Sequence, residues 1–294
     1  MEYNKNTAKL IRSLKDKKAR DESGLFVVEG EKLVEEALRS GWTVELLLRV
    51  TGSPGSTAST CLSGSTGLSG LSGSTALPGS AGSSGPSGLM TGSAVGGPAC
   101  TMISPAEMEK ISLLRSPSPA LALVRIPQAP PDGAGLVAAR PLALALDGVR
   151  DPGNLGTILR LADWFGVDWI FASDADSRYP TSDIYNPKVV QATMGAIFRT
   201  RLVYAPLPEI AQLFINEGME VYGTFLDGKP IYEEPLKGEG LIVMGNESEG
   251  ISSEMAACVT RRLTIPSYPV GVPTSESLNV ATATAITLSE FRRR

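Results

Sequence analysis

The chain contains no histidine. That absence removes Ser-His-Asp catalysis, histidine-ligated zinc and the commonest general base together, so any chemistry must rest on Arg, Glu, Asn or Ser. Cysteine is sparse. Cys61, Cys100 and Cys258 show neither pairing nor metal-ligand spacing, which argues against a disulfide framework and for a reducing compartment. Long apolar runs are also missing: "LALAL" and "LIVM" fall far short of the roughly 20 residues that cross a bilayer, and "MEYNKNTAKL" has no apolar signal-peptide core. The expectation is a cytoplasmic protein with no metal and no membrane partner. Excess positive charge is lacking too, the formal balance being −4, which disfavours attraction of nucleic acid by net charge alone.

What is present suggests two domains, since 294 residues with 42% hydrophobic content exceed one ordinary core. Charge is unevenly spread. Residues 1–21 hold seven basic side chains (Lys5, Lys9, Arg12, Lys15, Lys17, Lys18, Arg20) against three acidic ones, an excess suited to phosphate and equally to a solvated helix face. A basic helix, a strand "GLFVVEG", a helix from Glu31 to about Arg39 and a strand "TVELLLRV" then read as a small α/β unit. From Val50 to Ala106 there is no Asp, Glu, Lys or Arg. Ser, Gly, Thr, Ala and Pro dominate this tract, and its few large apolar groups favour a flexible linker or disorder. The pattern resumes at "SPAEMEKISLLRSPSPALALVRI" as a capped helix and a strand. The expected division is therefore a first domain over 1–126, interrupted by the uncharged tract 50–106, a Pro/Gly-rich linker over 127–140, and a second domain over 141–294.

The second domain alternates strand and helix from "PLALALDGV" to a last helix near Asn279, the pattern of an α/β fold with a parallel sheet covered on both faces. In such sheets ligands bind beyond the carboxyl ends of the strands. Three loops there stand out. In "DPGNLGTILR", Pro152 and Gly153 turn the chain, Asn154 suits an N-cap, and Leu155, Ile158, Leu159, Ala162 and Phe165 form one buried stripe. Arg160 falls off that stripe, and taken alone it also suits a surface ion pair. In "LIVMGNESEGIS", Gly245 allows a sharp turn and Glu247 follows the strand end; a carboxylate there also suits the approach to a helix N-terminus, capped by Ser252 or Ser253. In "IPSYPVGVPTSESLNVATATAI", Ser277 or Asn279 can cap the last helix or meet a ligand. Neither the dinucleotide fingerprint nor the P-loop spacing occurs, which disfavours a nucleotide-dependent oxidoreductase.

Together and in this order, "DPGNLGTILRLADWFG", "VMGNESEGI" and "IP…SLNVATATAI" resemble the three motifs of the SpoU (TrmH) family of RNA 2′-O-ribose methyltransferases, within the SPOUT superfamily. "LKDKKARDESGLFVVEGEKLVEEAL" is similar to that family's substrate-binding domain. The resemblance implies a trefoil-knotted parallel-sheet domain, a homodimer, the cofactor S-adenosylmethionine (SAM), and an RNA substrate, ribosomal 23S-type rather than tRNA by analogy of architecture. A non-catalytic RNA-binding protein of the same fold is the competing reading. The motif matches imply Asn154, Arg160, Glu247, Ser277 and Asn279 as catalytic residues. Thr224, Gly245, Asn246, Ile265 and Leu278 are implied as cofactor contacts, and Lys15, Lys17, Lys18 and Arg20 as RNA contacts. The stretch 267–276 is several residues longer than is usual for the family.

A ribose hydroxyl is a weak nucleophile at neutral pH, so alignment and proton removal are both required. The resemblance points to Arg160. Two roles are open to it: an unusually deprotonated base, or a charged fork on a phosphate with the proton leaving through solvent or Glu247.

Overall fold

Aliphatic runs separated by short helices assemble into two sheets in the computed structural model, which describes residues 1–52, 99–127, 139–269, 272 and 275–293. The first sheet has four strands. Helix α1 (Lys5–Ser13) is capped by Asn4, whose side chain accepts from the Asn6 and Thr7 N–H groups, and α2 (Lys17–Ser23) stops at Gly24 in the left-handed region. β1 (Leu25–Glu29), α3 (Glu31–Arg39), β2 (Val44–Val50), β3 (Cys100–Ile103), α4 (Pro105–Ile111) and β4 (Ala120–Arg125) follow. The strand order is β1-β4-β2-β3, with β4 antiparallel to both neighbours and β3 parallel to β2.

Two expectations change here. The single basic helix is two helices, and the uncharged tract is not linker to its end. Its last residues form β3, ordered by pairing with β2 and by burial of Ile103, and neither of these needs charge. The rest of that tract, 53–98, and most of the expected linker, 128–138, lie outside the described residues.

The second sheet contains β5 (Leu142–Asp147), β6 (Trp169–Ser173), β7 (Leu202–Ala205), β8 (Val221–Pro230), β9 (Gly240–Gly245) and β10 (Arg261–Thr264). Helices α5 (Pro152–Trp164), α6 (Pro187–Thr193), α7 (Leu207–Asn216), α8 (Ser253–Cys258) and α9 (Val280–Arg293) connect or follow them. The order is β10-β8-β9-β5-β6-β7 and every pairing is parallel. β9 is buried on both faces. Ile242 and Met244 join a cluster with Leu155, Ile158, Leu288 and Phe291 of α5 and α9, while Leu241 and Val243 join Phe214 and Met255 of α7 and α8. All parallel strands therefore deliver their carboxyl ends, and the loops that follow, to one edge of the sheet.

The two sheets share a core. Phe26, Val28, Leu47 and Ala122 on one face of the first belong to the same apolar cluster as Val189, Val190 and Phe198 of the second, and the Phe26 and Tyr185 rings lie 4.9 Å apart. Arg20, only 2% exposed, spans the joint with two N–H groups on Asp183 and another on the carbonyls of Leu14 and Lys15.

Candidate active site

The site is assembled at the ends of β5 and β9. A side chain at Gly245 would lie 2.3 Å from the carbonyl carbon of Gly250, so glycine is required there because the loop folds back on its own strand end. Asn246 then fixes that loop. Its backbone exchanges hydrogen bonds with Gly250, its Oδ1 accepts from the Ser248 and Glu249 N–H groups, and its Nδ2 donates to the Gly148 carbonyl at 2.6 Å.

This aims Glu247 at the start of α5. Its Oε1 accepts from Asn154 Nδ2 at 3.0 Å and from the Asp151 N–H at 3.3 Å, and its Oε2 from the Arg150 N–H at 3.4 Å. The N-cap of α5 is Asp151 rather than Asn154: its Oδ1 accepts the Asn154 N–H at 2.8 Å, and Pro152 occupies the first helical position. The Asp-Pro pair carried that signal in the sequence. Relieved of capping, the Asn154 side chain bridges two loops, accepting from Asn279 Nδ2 at 2.9 Å on its Oδ1. Asn279 caps α9 through its own Oδ1, which accepts the Ala281 and Thr282 N–H groups. A continuous chain, Glu247–Asn154–Asn279, thus ties together the three loops singled out in the sequence.

Beside this chain lies a cleft of about 430 Å³. Thr224, Gly245, Asn246, Ile265, Ser277 and Leu278 all line it, as does Glu247. Thr224 and its neighbours reach it through a break in register. Arg262 pairs with Gly223 but Leu263 pairs with Lys229, so residues 224–228 have no counterpart in the ladder, and the first three of them, Thr224, Phe225 and Leu226, line the cleft. Nothing in a single sequence announces that excursion. Among the described lining residues there is no Lys or Arg, whereas Glu247 and Glu249 are both present.

Arg160 is elsewhere. It is exposed on α5, does not line the cleft, and has no hydrogen-bond or ion-pair partner among the described residues. Helix geometry places it roughly 240° around the axis and ~9 Å along from Asn154. Lys15, Lys17 and Lys18 are exposed near the amino terminus, and Lys17 and Lys18 pair with Asp21 and Glu22 one turn on. Arg20 does not share that surface. Its donors are engaged by Asp183 and two carbonyls, so it is a tie between the two sheets and not an RNA contact.

The model of the SpoU rRNA methylase family matches residues 141–289, which include all three loops. The chain belongs to the SpoU rRNA methylase family. An MRM3-like substrate binding domain matches residues 5–65 of this SpoU methylase. Bacillus subtilis 23S rRNA (guanosine(2553)-2′-O)-methyltransferase RlmP is 30% identical over 283 residues, covering 96% of this chain and 94% of that one. Among solved structures, a Porphyromonas gingivalis protein assigned to the TrmH family of RNA methyltransferases superposes with a TM-score of 0.75 at 34% identity, covering 100% of this chain and 99% of that one. An AdoMet-bound rRNA methyltransferase from Sinorhizobium meliloti gives 0.73 at 27% identity, covering 100% and 96%.

Proposed function

We propose that this protein is a SAM-dependent methyltransferase that modifies a ribose 2′-hydroxyl in 23S-type ribosomal RNA. The observation that carries this reading is the Glu247–Asn154–Asn279 chain beside the 430 Å³ cleft. The relatives' named activities support it, as does the match to a substrate-binding domain at the amino end. In this reading residues 1–126 bind RNA, 127–140 connect, and 141–294 hold the cofactor and the chemistry.

The cleft suits SAM better than a phosphate-bearing cofactor. Its described lining offers two carboxylates, no cation, and apolar surface from Phe225, Ile265 and Leu278, which matches a cationic sulfonium carrying an adenosine. Thr224, Gly245, Asn246, Ile265 and Leu278 would hold it. Bound there, SAM supplies an activated methyl group for in-line displacement.

This chain's own residues then position the hydroxyl. Asn154 and Asn279, neutral and mutually hydrogen-bonded, orient the ribose together with Ser277. Glu247 already accepts three N–H groups, so it holds the loops in place and the hydroxyl proton leaves to solvent. Arg160 is the charged fork that grips the target's phosphate. Being exposed, off the cleft and without an ion-pair partner among the described residues, it acts across a homodimer interface on the cleft of the second copy. The trefoil knot belongs to the same reading: the segment after β10, at the sheet's far edge, returns to pack α9 against α5.

The test is calorimetric titration with SAM and radiolabelled methyl transfer to a 23S rRNA transcript. Asn154→Ala lowers kcat/KM by about 100-fold with SAM affinity little changed, as expected for a positioning donor in a preorganised site. A protein that binds the transcript but neither binds SAM nor transfers the methyl group refutes the proposal in favour of a non-catalytic binder.

A further inference from the structure

Several arginines are neutralised: Arg20 by Asp183, Arg125 by Glu45, Arg140 by Glu239, and Arg199 by Glu36 and Asp163. Arg150 and Arg178 differ. Both are exposed, neither has a carboxylate within ion-pair distance among the described residues, and both guanidinium groups lie over one ring, that of Tyr179, at 4.9 Å and 5.1 Å from its centroid. Such contacts restrain long side chains that would otherwise sample many rotamers.

The residue that carries the ring is anchored beside the candidate site through its backbone and Cβ. Ser173 Oγ donates to the Tyr179 carbonyl at 2.8 Å, and Gly148 must be glycine because a side chain there would meet Tyr179 Cβ at 2.8 Å, in addition to its φ of +78°. Gly148 takes the Asn246 amide on its carbonyl, and the Arg150 N–H reaches Glu247. The two unpaired cations are thus built into the frame that carries Glu247 and Asn154. No nearby acid forms an ion pair with them among the described residues. Asp174 accepts from the Ser177 N–H and hydroxyl and Asp147 from the Ser252 N–H, while Glu249 and Glu254, which with Asp147 line the same depression of about 190 Å³ as Arg178, lie beyond ion-pair distance.

We propose that Tyr179 preorganises Arg150 and Arg178 as a clamp for the phosphates of the RNA strand flanking the modified nucleotide. The inference rests on the RNA-methyltransferase reading and adds to it a substrate contact on the second domain, separate from the basic amino terminus. Planar guanidinium forks suit bidentate phosphate contact, and fixing them in advance lowers the ordering cost of binding.

The experiment measures filter binding of the full chain to a 23S rRNA transcript over a salt series, with methyl-transfer kinetics on the same transcript. In the Arg150→Gln/Arg178→Gln double variant, affinity falls at least about 10-fold, and the slope of log K against log salt is shallower by about 1.4, close to 0.7 for each single-strand phosphate that is no longer neutralised. KM for RNA rises, while kcat at saturating RNA and the affinity for SAM are kept. Tyr179→Phe retains the ring and behaves as wild type; Tyr179→Leu loses part of the affinity. An unchanged salt slope and KM in the double variant overturn the clamp, and so does a loss confined to kcat or SAM binding. Methyl transfer with an unaltered slope refutes the clamp alone. Salt-dependent RNA binding without methyl transfer refutes the enzymatic reading, and the slope still reports on the clamp. Wild-type protein that binds no RNA refutes both.

Discussion

The two sheets differ in what they do with their polar groups. In the four-stranded sheet these groups satisfy one another: Glu29 accepts from Ser112, Leu113 and Ser118 to hold the connection into β4, and Arg125 pairs with Glu45. In the six-stranded sheet the parallel strands end together, and Glu247, Asn154 and Asn279 converge beside a cleft where their contacts bind loop to loop. In the mixed first sheet the carboxyl ends of the strands point both ways, whereas the all-parallel second sheet brings every carboxyl end, and the loop that follows it, to one edge. That collection allows residues more than a hundred positions apart to form one site.

The comparison can be broken at the joint. Asp183→Ala leaves the Arg20 guanidinium buried without its counter-charge and is expected to cost about 3–5 kcal/mol, the usual penalty for removing one partner of a buried pair. Denaturant unfolding followed by fluorescence checks this, and a loss below about 1 kcal/mol would mean that the tie is dispensable. A smaller effect is expected inside the second domain. Gly156 of α5 lies against α6 so closely that an added Cβ would sit 2.4 Å from Ala192 Cβ, and Gly156→Ala should cost roughly 1–3 kcal/mol by overpacking. The midpoint of thermal unfolding reports it.

The smallest effect involves pH. Burial, helped by the charge of Asp183, pushes the Tyr185 hydroxyl up to about 12. The folded state therefore favours the protonated phenol, and this contribution to stability is complete below the ordinary tyrosine value near 10 and is lost as pH rises from about 10 to about 12. Tyr185→Phe removes that term, so the variant's stability should fall less steeply than wild type's across that window in alkaline titration.

Much of this architecture was legible because local signals agree with the fold. Helix α3 begins and ends at Glu31 and Arg39 as its periodicity implies, and the run Leu241–Met244 is buried throughout as an uninterrupted apolar strand should be. The three loops were legible as a set. What escaped depends on contacts distant in sequence. β3 exists through its pairing with β2, and the break in register at residues 224–228 depends on where β10 lands. No unbroken helix crosses residues 186–198, because the chain turns at Met194 and Gly195, both with positive φ, where Gly195 passes over Glu36 of helix α3. Arg20 was misplaced for the same reason. A basic residue in a basic segment reads as surface until its partner 163 positions away is seen.

The shared apolar core has one further consequence. Two lobes that share an apolar core through Phe26, Tyr185 and Val190 resist swinging apart, since that would expose the core, and the packing therefore sets the spacing between the basic first helices and the cleft. On the proposed reading, an RNA that touches both must bring two points on its surface to that separation by its own folding.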